Sequence, residues 1–407
     1  MSEWKKVKLG DCCLIGDGAH ASLKRQGKGI LYITAKNLTS NGLDYSKVDY
    51  ISEELYNKHF SERNGAITRP IKNDIIFSII GSLGGSYLVK DEKLGISSSV
   101  AIFRSKGDIL QLYLFYYLKS EKIKSEIDSI KGGVAQGFMS LSKLGSLTIY
   151  FPTSLKLQQR ITTILSRYDS LIENYQKQIK LLEESAQRIY KEWFIDLHFP
   201  GHENTKIVDG VPEGWEKKKI NDVCDTIGGG TPSTKVQEYY EGGNISWVTP
   251  TDITRNNSLC LLSTEKKITQ EGLDHSSAKM LPEETILMTS RASVGYFGIC
   301  DFEVCTNQGF ISCVPFKKNF QMYLLYNLIN RVEEIRIKAG GSTYLEISKS
   351  VFRNFNIISP SDDVLKSFQY KAHKPLDEIR YLSKQIRHLT EARDRLLPKL
   401  MSGEIEV

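Results

Sequence analysis

The chain has 407 residues, with 40% hydrophobic and 25% charged side chains, which is typical of a soluble protein of two or three domains. It contains no apolar run near the roughly 18 residues of a membrane span, and its first residues lack the apolar core of an export signal, so we expect a cytoplasmic protein with no membrane partner. Seven irregularly spaced cysteines argue against a disulfide framework or a zinc site, and we predict no metal site.

The first predicted feature along the chain is a segment that occurs twice. The matching pairs are WKKVKLGDCC at 4–13 with WEKKKINDVC at 215–224, YITAKNL at 32–38 with WVTPTDI at 247–253, IFSIIGSLG at 76–84 with LMTSRASVG at 287–295, and YLFYYL at 113–118 with YLLYNL at 323–328. Each half then continues through a Ser-Lys pair (Ser142-Lys143 and Ser348-Lys349) into a β-rich run that ends in proline. Matches in one order at an offset near 211 residues indicate an internal duplication.

Each repeat mixes strand and helix patterns. The runs at 74–80 (DIIFSII) and 285–289 (TILMT) are bounded by turn residues and predict strands. The stretches Tyr113–Ile130 and Met322–Lys338 predict one helix each. The glycine-rich run that starts at Ile227 lacks the spacing of a phosphate-binding loop, and we expect a mobile turn there.

We therefore predict two α+β domains of similar fold, related by a pseudo-two-fold repeat, at 1–152 and 200–360. The second begins with an exposed linker rich in proline and glycine at 200–212. The first repeat carries a net charge of +6 and the second −2, so the first is the more attracted to phosphate as a whole.

A long amphipathic helix is predicted after each domain, at 153–199 and 361–407. Apolar residues recur every three and four positions from Leu157 to Trp193, a stripe that needs a partner, and the obvious partner is the second helix. The predicted core of this pair is Ile161, Tyr168, Tyr175, Leu182 and Ile189 with Leu382, Leu389 and Leu396. A helix from Leu157 to Leu197 would be about 60 Å long and would act as a spacer between the domains. Pro375 should begin or kink the second helix.

Catalytic motifs are missing from the sequence. None of the eleven prolines is followed by proline, as an adenine methyltransferase motif requires, and there is no Pro-Asp pair to open a common nuclease motif. A nucleotide-binding G-x-x-x-x-G-K-[ST] loop is also missing. We predict a chain that is not an enzyme and that binds no cofactor of its own.

Several segments resemble specificity subunits of Type I restriction–modification systems. They are the W-x-x-x-x-[LI]-x-D opening of both repeats, ISWVTPTDI at 245–253, LKLQQRITTILSRYDSLIE at 155–173, IYKEWFIDLHFPG at 189–201 and LTEARDRLLPKLMSGEIEV at 389–407. The resemblance covers essentially the whole chain. It implies two target-recognition domains held apart by antiparallel helices, each domain reading one half of a split double-stranded DNA target.

The resemblance also implies partners. Methyltransferase subunits, two by expectation, would dock on the domains and helices and supply S-adenosylmethionine chemistry, and restriction/translocase subunits would supply ATP-driven activity. Outward helix residues, exemplified by Arg188, Lys191, Arg393 and Arg395, are candidates for that docking or for an ordinary solvated face.

Candidate DNA-binding residues are polar and basic side chains on predicted loops, because such groups bond base edges and phosphates. In the first domain they are Lys24, Arg25, Lys28, Lys36, Asn37, Ser82, Gln136 and Lys143; in the second they are Thr231, Ser233, Lys235, Thr249, Thr251, Arg291, Ser293, Asn307, Gln308, Thr343 and Tyr344. For each serine or threonine, turn capping or solvation is the competing interpretation. Arg291, in SRASVG, can bond a guanine edge or a phosphate, whereas Ile80 at the matching position of the first domain can bond neither. The alternative to a DNA-binding chain is a two-headed scaffold for protein contacts.

Overall fold

The computed structural model describes residues 3–39, 42–45, 48–61, 67–81, 83–131, 138–341 and 344–407, with the backbone alone at 130 and 131. The chain forms two compact units. The first unit contains residues 1–170 and 389–407, and the second contains residues 171–388. Each unit holds one α+β domain, called here the first head and the second head, and one end of each of two long helices.

The first head is built from a mostly antiparallel set of sheets. Its four-stranded sheet has the order Cys13–Asp17, Val100–Ser105, Ile75–Ser78, Ser86–Leu88; its three-stranded sheet has the order Asp49–Ile51, Ile30–Ile33, Leu94–Ile96; two short pairs join Trp4–Lys8 to Thr148–Pro152 and Leu38–Thr39 to Gly42–Leu43. Its helices are Leu9–Cys12, Glu53–His59, Gln111–Leu118, Glu121–Lys131 and Leu141–Ser146, with a 3-10 turn at Ala35–Asn37. The central strand Ile75–Ser78 is wholly buried, which explains its continuous apolar run.

The second head repeats this plan. Its five-stranded sheet has the order Cys224–Gly228, Phe310–Pro315, Ile286–Thr289, Phe297–Cys300, Cys260–Leu261; its three-stranded sheet has the order Lys266–Ile268, Ile245–Val248, Cys305–Thr306; two pairs join Glu216–Lys219 to Asn356–Ser359 and Ile207–Val208 to Val211–Pro212. Its helices are Pro250–Thr254, Gln270–Asp274, Gln321–Asn330, Val332–Lys338 and Lys349–Arg353, with 3-10 turns at His202–Asn204, Ile220–Asp222, Gln237–Tyr239 and Lys318–Phe320. The predicted α+β class and internal repeat are confirmed.

The helices predicted at 113–130 and 322–338 are each two helices in the structure. In the first head the break falls at Ser120, whose hydroxyl bonds the carbonyl of Tyr117 at 2.7 Å. In the second head it falls at Arg331, whose guanidinium bonds Glu334 and the Asn356 carbonyl. The apolar periodicity did not reveal these breaks, because each one depends on a polar side chain that bonds a nearby backbone or carboxylate group.

The two long helices are continuous. The central helix is Leu155–Phe194, and Ser154 caps its first turn by accepting a hydrogen bond from the Leu157 amide. The C-terminal helix is Asp362–Ser402, so the expectation that Pro375 begins it was wrong by thirteen residues. Among the described residues, no helix is both long and apolar enough to cross a membrane.

The order of contacts between the helices is that of an antiparallel pair. In the first unit, Ile161 and Leu165 of the central helix share a buried cluster with Leu400 of the C-terminal helix. In the second unit, Trp193 packs on Phe368, with ring centroids 5.8 Å apart. The start of one helix therefore lies beside the end of the other.

The predicted seam residues of the central helix and a second seven-residue series, offset from them by four positions, together form its covered stripe. The fully buried seven-residue series on the central helix is Leu165, Ile172, Ile179, Ala186 and Trp193. Of the predicted residues, Ile161 and Leu382 are buried, whereas Tyr168, Tyr175, Leu182, Ile189, Leu389 and Leu396 are only partly buried. Both series belong to the same apolar stripe, and the heads as well as the partner helix decide which one is covered.

Candidate nucleic-acid interface

Five segments of the second head are joined side by side where strands of its sheets end. Four backbone hydrogen bonds connect them: Gly230 N to Thr306 O at 2.9 Å, Asn307 N to Val248 O at 3.1 Å, Ser290 N to Gly309 O at 2.8 Å, and Ile347 N to Ser290 O at 3.0 Å. We call this arrangement the four-bond frame. Because backbone bonds fix it, the side chains that it presents can differ without changing its shape.

The glycine-rich run of the second head is part of this frame and is not the mobile turn that the sequence suggested. A Cβ atom on Gly229 would lie 2.1 Å from the Thr306 carbonyl oxygen and 2.2 Å from that of Asn307. A Cβ on Gly230 would lie 2.4 Å from the Ala278 nitrogen. Glycine is required because the backbone approaches its neighbours too closely for any side chain.

Five of the predicted DNA-binding residues meet on this frame. They are Arg291, Ser293, Asn307, Gln308 and Tyr344. With Pro250, Ala292 and Gly309 they line an open pocket with a volume of about 290 Å³. Thr231 also belongs here, since its hydroxyl donates to the Gln308 side-chain oxygen. Residues distant in the sequence thus form one polar surface, with donors and acceptors suited to base edges.

Arg291 lies at the tip of the loop after the central strand. The next residue, Ala292, has φ of 60°, and its amide bonds the Leu345 carbonyl at 2.8 Å. The Arg291 Nε lies 3.5 Å from Glu346 Oε2, and both side chains are half exposed. One long contact in water holds an arginine weakly, so its guanidinium remains available to a ligand.

The remaining predictions for the second head have mixed outcomes. Thr249 caps the helix Pro250–Thr254, its hydroxyl donating to Asp252 at 2.7 Å, so the capping interpretation holds for it. Thr251 is partly buried on that helix, and Ser233 and Lys235 are exposed beside the frame. Thr343 lies outside the described residues.

The first head has the same four-bond frame. The bonds are Ala19 N to Ile96 O at 2.9 Å, Ser97 N to Ile33 O at 2.9 Å, Ile79 N to Ser99 O at 3.0 Å, and Met139 N to Ile79 O at 3.0 Å. Gly18 repeats the requirement found at Gly229, since a Cβ there would lie 2.1 Å from the Ile96 carbonyl oxygen. The duplication therefore preserved this backbone arrangement in both halves.

The predicted residues of the first head fit the frame less well. Lys36 is exposed next to it, but Asn37 is only 5% exposed, and its Oδ1 accepts bonds from the amide and hydroxyl of Thr34. Asn37 is therefore a buried cap, and the capping interpretation holds for it. Lys24, Arg25 and Lys28 are all exposed, and Arg25 also stacks on Tyr32, 3.9 Å from the ring centroid, and bonds Asp49. Ser82 and Gln136 lie outside the described residues.

The structure also shifts the predicted match near the end of each repeat. Ser140 and Ser348 are equivalent, since each caps the following helix and each contacts a second serine at 3.1 Å. Exposed Lys143 therefore corresponds to Val351, and Leu141 corresponds to Lys349. The sequence match missed this shift because the first half has three residues more than the second between the central strand and this serine cap.

Sequence reasoning missed the first-head residues that the frame brings forward. His20 takes the place of Thr231; it is 75% exposed, and its Nε2 lies 2.9 Å from Asp17 Oδ2. Ser97 and Ser98 take the places of Asn307 and Gln308. The repeat offset of 211 already pointed to His20, but only the frame identifies that position as part of the surface.

The sequence profile described as "Type I restriction modification DNA specificity domain" matches residues 1–184 and 212–387. The chain belongs to this family of specificity subunits. Such subunits are non-catalytic components of restriction–modification complexes, which act with DNA and other subunits.

Similar proteins support this assignment over the full length. The chain is 26% identical to the Type I restriction enzyme MjaIX specificity subunit of Methanocaldococcus jannaschii, across all of this chain and 94% of that protein. It is 24% identical to the HindI specificity subunit of Haemophilus influenzae, across all of both chains. The crystal structure of an S subunit from M. genitalium has the same fold, with a TM-score of 0.56 at 16% identity, covering 98% of this chain and 96% of that one.

In this specificity subunit a cluster of charged groups ties the second head to the C-terminal helix. Glu284 of the head contacts His373 at 3.0 Å and accepts a bond from Arg380 at 2.8 Å. The His373 hydrogen bond, followed by the bond from Arg380, lowers the pKa of Glu284 to about 2, although burial opposes the shift. The same contact raises the pKa of His373. The cluster favours charged groups on both elements and so stabilises their packing.

A second cluster corrects one predicted docking residue. Arg393 donates to Asp169 at 2.6 Å, and the same carboxylate accepts the Tyr116 hydroxyl at 2.7 Å. Arg393 is 21% exposed and joins the two long helices to the first head, so it does not face outward as predicted. Arg188, at 82% exposure, does. Among the described residues no group of three or more metal-ligating side chains is present.

Proposed function

We propose that the two heads of this specificity subunit read the two halves of a bipartite double-stranded DNA target. The observation that carries the proposal is the four-bond frame, which occurs twice with different side chains on it. A protein that recognises two different half-sites requires the same backbone frame in both heads and different side chains on each frame. Backbone geometry positions the loops, and the side chains determine the bases.

The long helices set the distance between the half-sites in this proposal. The major groove returns to one face of DNA every 34–36 Å or so, and a fixed helical spacer lets each head enter a groove while the bases between them remain unread. The uninterrupted central helix of 40 residues and its antiparallel partner support this role.

Partner subunits supply the chemistry. We propose that two methyltransferase subunits dock on the heads and helices and bring S-adenosylmethionine, and that restriction/translocase subunits bring ATP hydrolysis. The internal duplication supports two equivalent docking positions. Exposed helix residues such as Arg188, Lys191 and Arg395 are candidates for these contacts.

A paired insertion tests the spacer role. The two units divide between Ser170 and Leu171 and between His388 and Leu389. Inserting seven residues at both points keeps the seven-residue register and lengthens each helix by about 10 Å, or about three base pairs. Methylation mapping should show the same half-sites with a longer spacer.

The control is the same seven residues inserted between Asp209 and Gly210, in the exposed hairpin turn at the start of the second head. That insertion lengthens the chain and leaves both helices intact, so the spacer should not change. An unchanged spacer in the paired-insertion variant, with the complex assembled, would contradict the proposal.

A further inference from the structure

The first head presents an exposed apolar pair where the second head presents an ion pair. In the second head Arg291 forms an isolated antiparallel bridge with Glu346, and in the first head Ile80 forms the same bridge with Phe138. The neighbouring bonds, Met139 N to Ile79 O and Ile347 N to Ser290 O, are both 3.0 Å long. The two pairs therefore occupy the same place on the four-bond frame.

This apolar pair does not fill the core. Ile80 is 40% exposed and Phe138 is 62% exposed, whereas their neighbours Ile79 and Met139 are 1% and 2% exposed. The alternation along each segment points Ile79 and Met139 inward and turns Ile80 and Phe138 outward. A phenylalanine kept in water on a backbone frame that otherwise carries polar groups indicates contact with a ligand.

The surroundings favour DNA over another protein as that ligand. Ser99 connects the Ile79 backbone to the Ala35 amide, and exposed Lys36 is the next residue. The first repeat also carries a net charge of +6. The positive charge of the head suits a polyanion, and the apolar pair at its strand ends suits an apolar group at the edge of a DNA groove. Thymine has such a group, the C5 methyl, in the major groove.

We infer that Phe138, paired with Ile80 on the frame, makes the contact with a thymine methyl group in the half-site of the first head. The inference rests on the proposed DNA-reading function and adds the chemical class of base contact. Neither side chain has a hydrogen-bonding group, so this part of the first head recognises shape and apolar surface. At the same place the second head offers a guanidinium for a guanine edge.

Deoxyuridine provides the test, because it pairs like thymine and lacks only the methyl group. The specificity subunit is assembled with its methyltransferase subunits, its bipartite motif is mapped, and binding is measured with duplexes in which each thymine in turn is replaced. At one or more thymines of one half-site we expect roughly fourfold weaker binding, the equivalent of one buried methyl group. In the Phe138→Ala variant the same replacement should have no effect.

Two further variants complete the design. Phe316→Ala removes a phenylalanine of matching exposure, 60%, from the second unit, and the deoxyuridine effect should persist in it. Phe138→Leu keeps an apolar contact and should retain part of the effect. Both altered side chains are exposed, and the melting temperature of each variant confirms folding.

Wild-type binding that is indifferent to every deoxyuridine would overturn the inference, as would an effect that survives Phe138→Ala. Loss of complex assembly in Phe138→Ala, with no deoxyuridine effect, would assign the pair to a protein interface and also overturn it. Failure of the proposed function is a separate result, since no bipartite motif would then be mapped.

Discussion

Replacing Arg291 with alanine should change which DNA sequences the subunit accepts and leave its fold intact. The single 3.5 Å contact to Glu346, with both side chains half exposed, contributes at most about 0.5 kcal/mol to folding. A bidentate arginine–guanine contact contributes about 1–3 kcal/mol of discrimination, or roughly 5- to 150-fold. The variant should therefore lose specificity at one position of one half-site with little change in melting temperature.

Binding of the methyltransferase complex to modified duplexes measures this directly. Replacing the guanine with 7-deazaguanine removes the N7 acceptor, which should weaken wild-type binding and leave Arg291→Ala binding unchanged. Arg291→Lys keeps the charge and a donor for N7 but loses the planar fork, so it should retain only part of the wild-type sensitivity in this assay. Lys206→Ala is the control, because it removes one equally positive and exposed side chain from the linker at 200–212, to which no contact with DNA or a partner subunit is assigned.

A uniform loss of affinity for all sequences would refute this role. Together with a salt dependence reduced by about one counterion, that result would make Arg291 a phosphate contact. Equal sensitivity of wild type and Arg291→Ala to 7-deazaguanine would also refute the base-reading role of Arg291.

Three further predictions concern stability. Glu284, whose pKa is lowered from 4.5 to about 2, should stabilise the second unit by up to about 3 kcal/mol above pH 4.5, and this is lost as the pH falls toward 2. Melting temperatures across pH should show that loss in wild type and not in Glu284→Gln. Ile179→Ala should cost about 2–4 kcal/mol in urea unfolding, whereas Leu181→Ala, at 63% exposure, should cost under about 0.5 kcal/mol; equal costs would contradict the difference in burial between the two side chains. Gly229→Ala should displace the neighbouring frame, lowering the melting temperature and weakening DNA binding, and an unaffected variant would contradict the close packing measured there.

The sequence predicted the architecture because its main determinants are periodic or repeated. The duplication and the apolar stripe of each long helix are visible in one chain, and both led to the correct fold. The degree of burial of each series within the stripe was not predictable in this way. Ile179 and Leu182 are equally apolar, and only packing against the second head and the partner helix buries one more than the other.

The candidate site was predictable where polar residues follow strands, as at Arg291 and Asn307. It was not predictable where a backbone contact decides the role. Asparagine is a residue type that often bonds DNA, but Asn37 acts as a cap. Phenylalanine is usually a core residue, but Phe138 lies on the surface. The role of Asn37 depends on bonds to Thr34, only three residues away. The exposure of Phe138 follows from the bond of its neighbour Met139 to Ile79, far away in the sequence.

Genome-wide methylation mapping, in cells that carry the cognate methyltransferase subunit with and without this chain, tests the central claim most directly. We predict a split motif that appears only when the chain is present, with one half altered by Arg291→Ala and the other half unaffected. A motif that is independent of the chain, or the loss of all methylation specificity with the complex intact, would contradict the assignment of one half-site to each head.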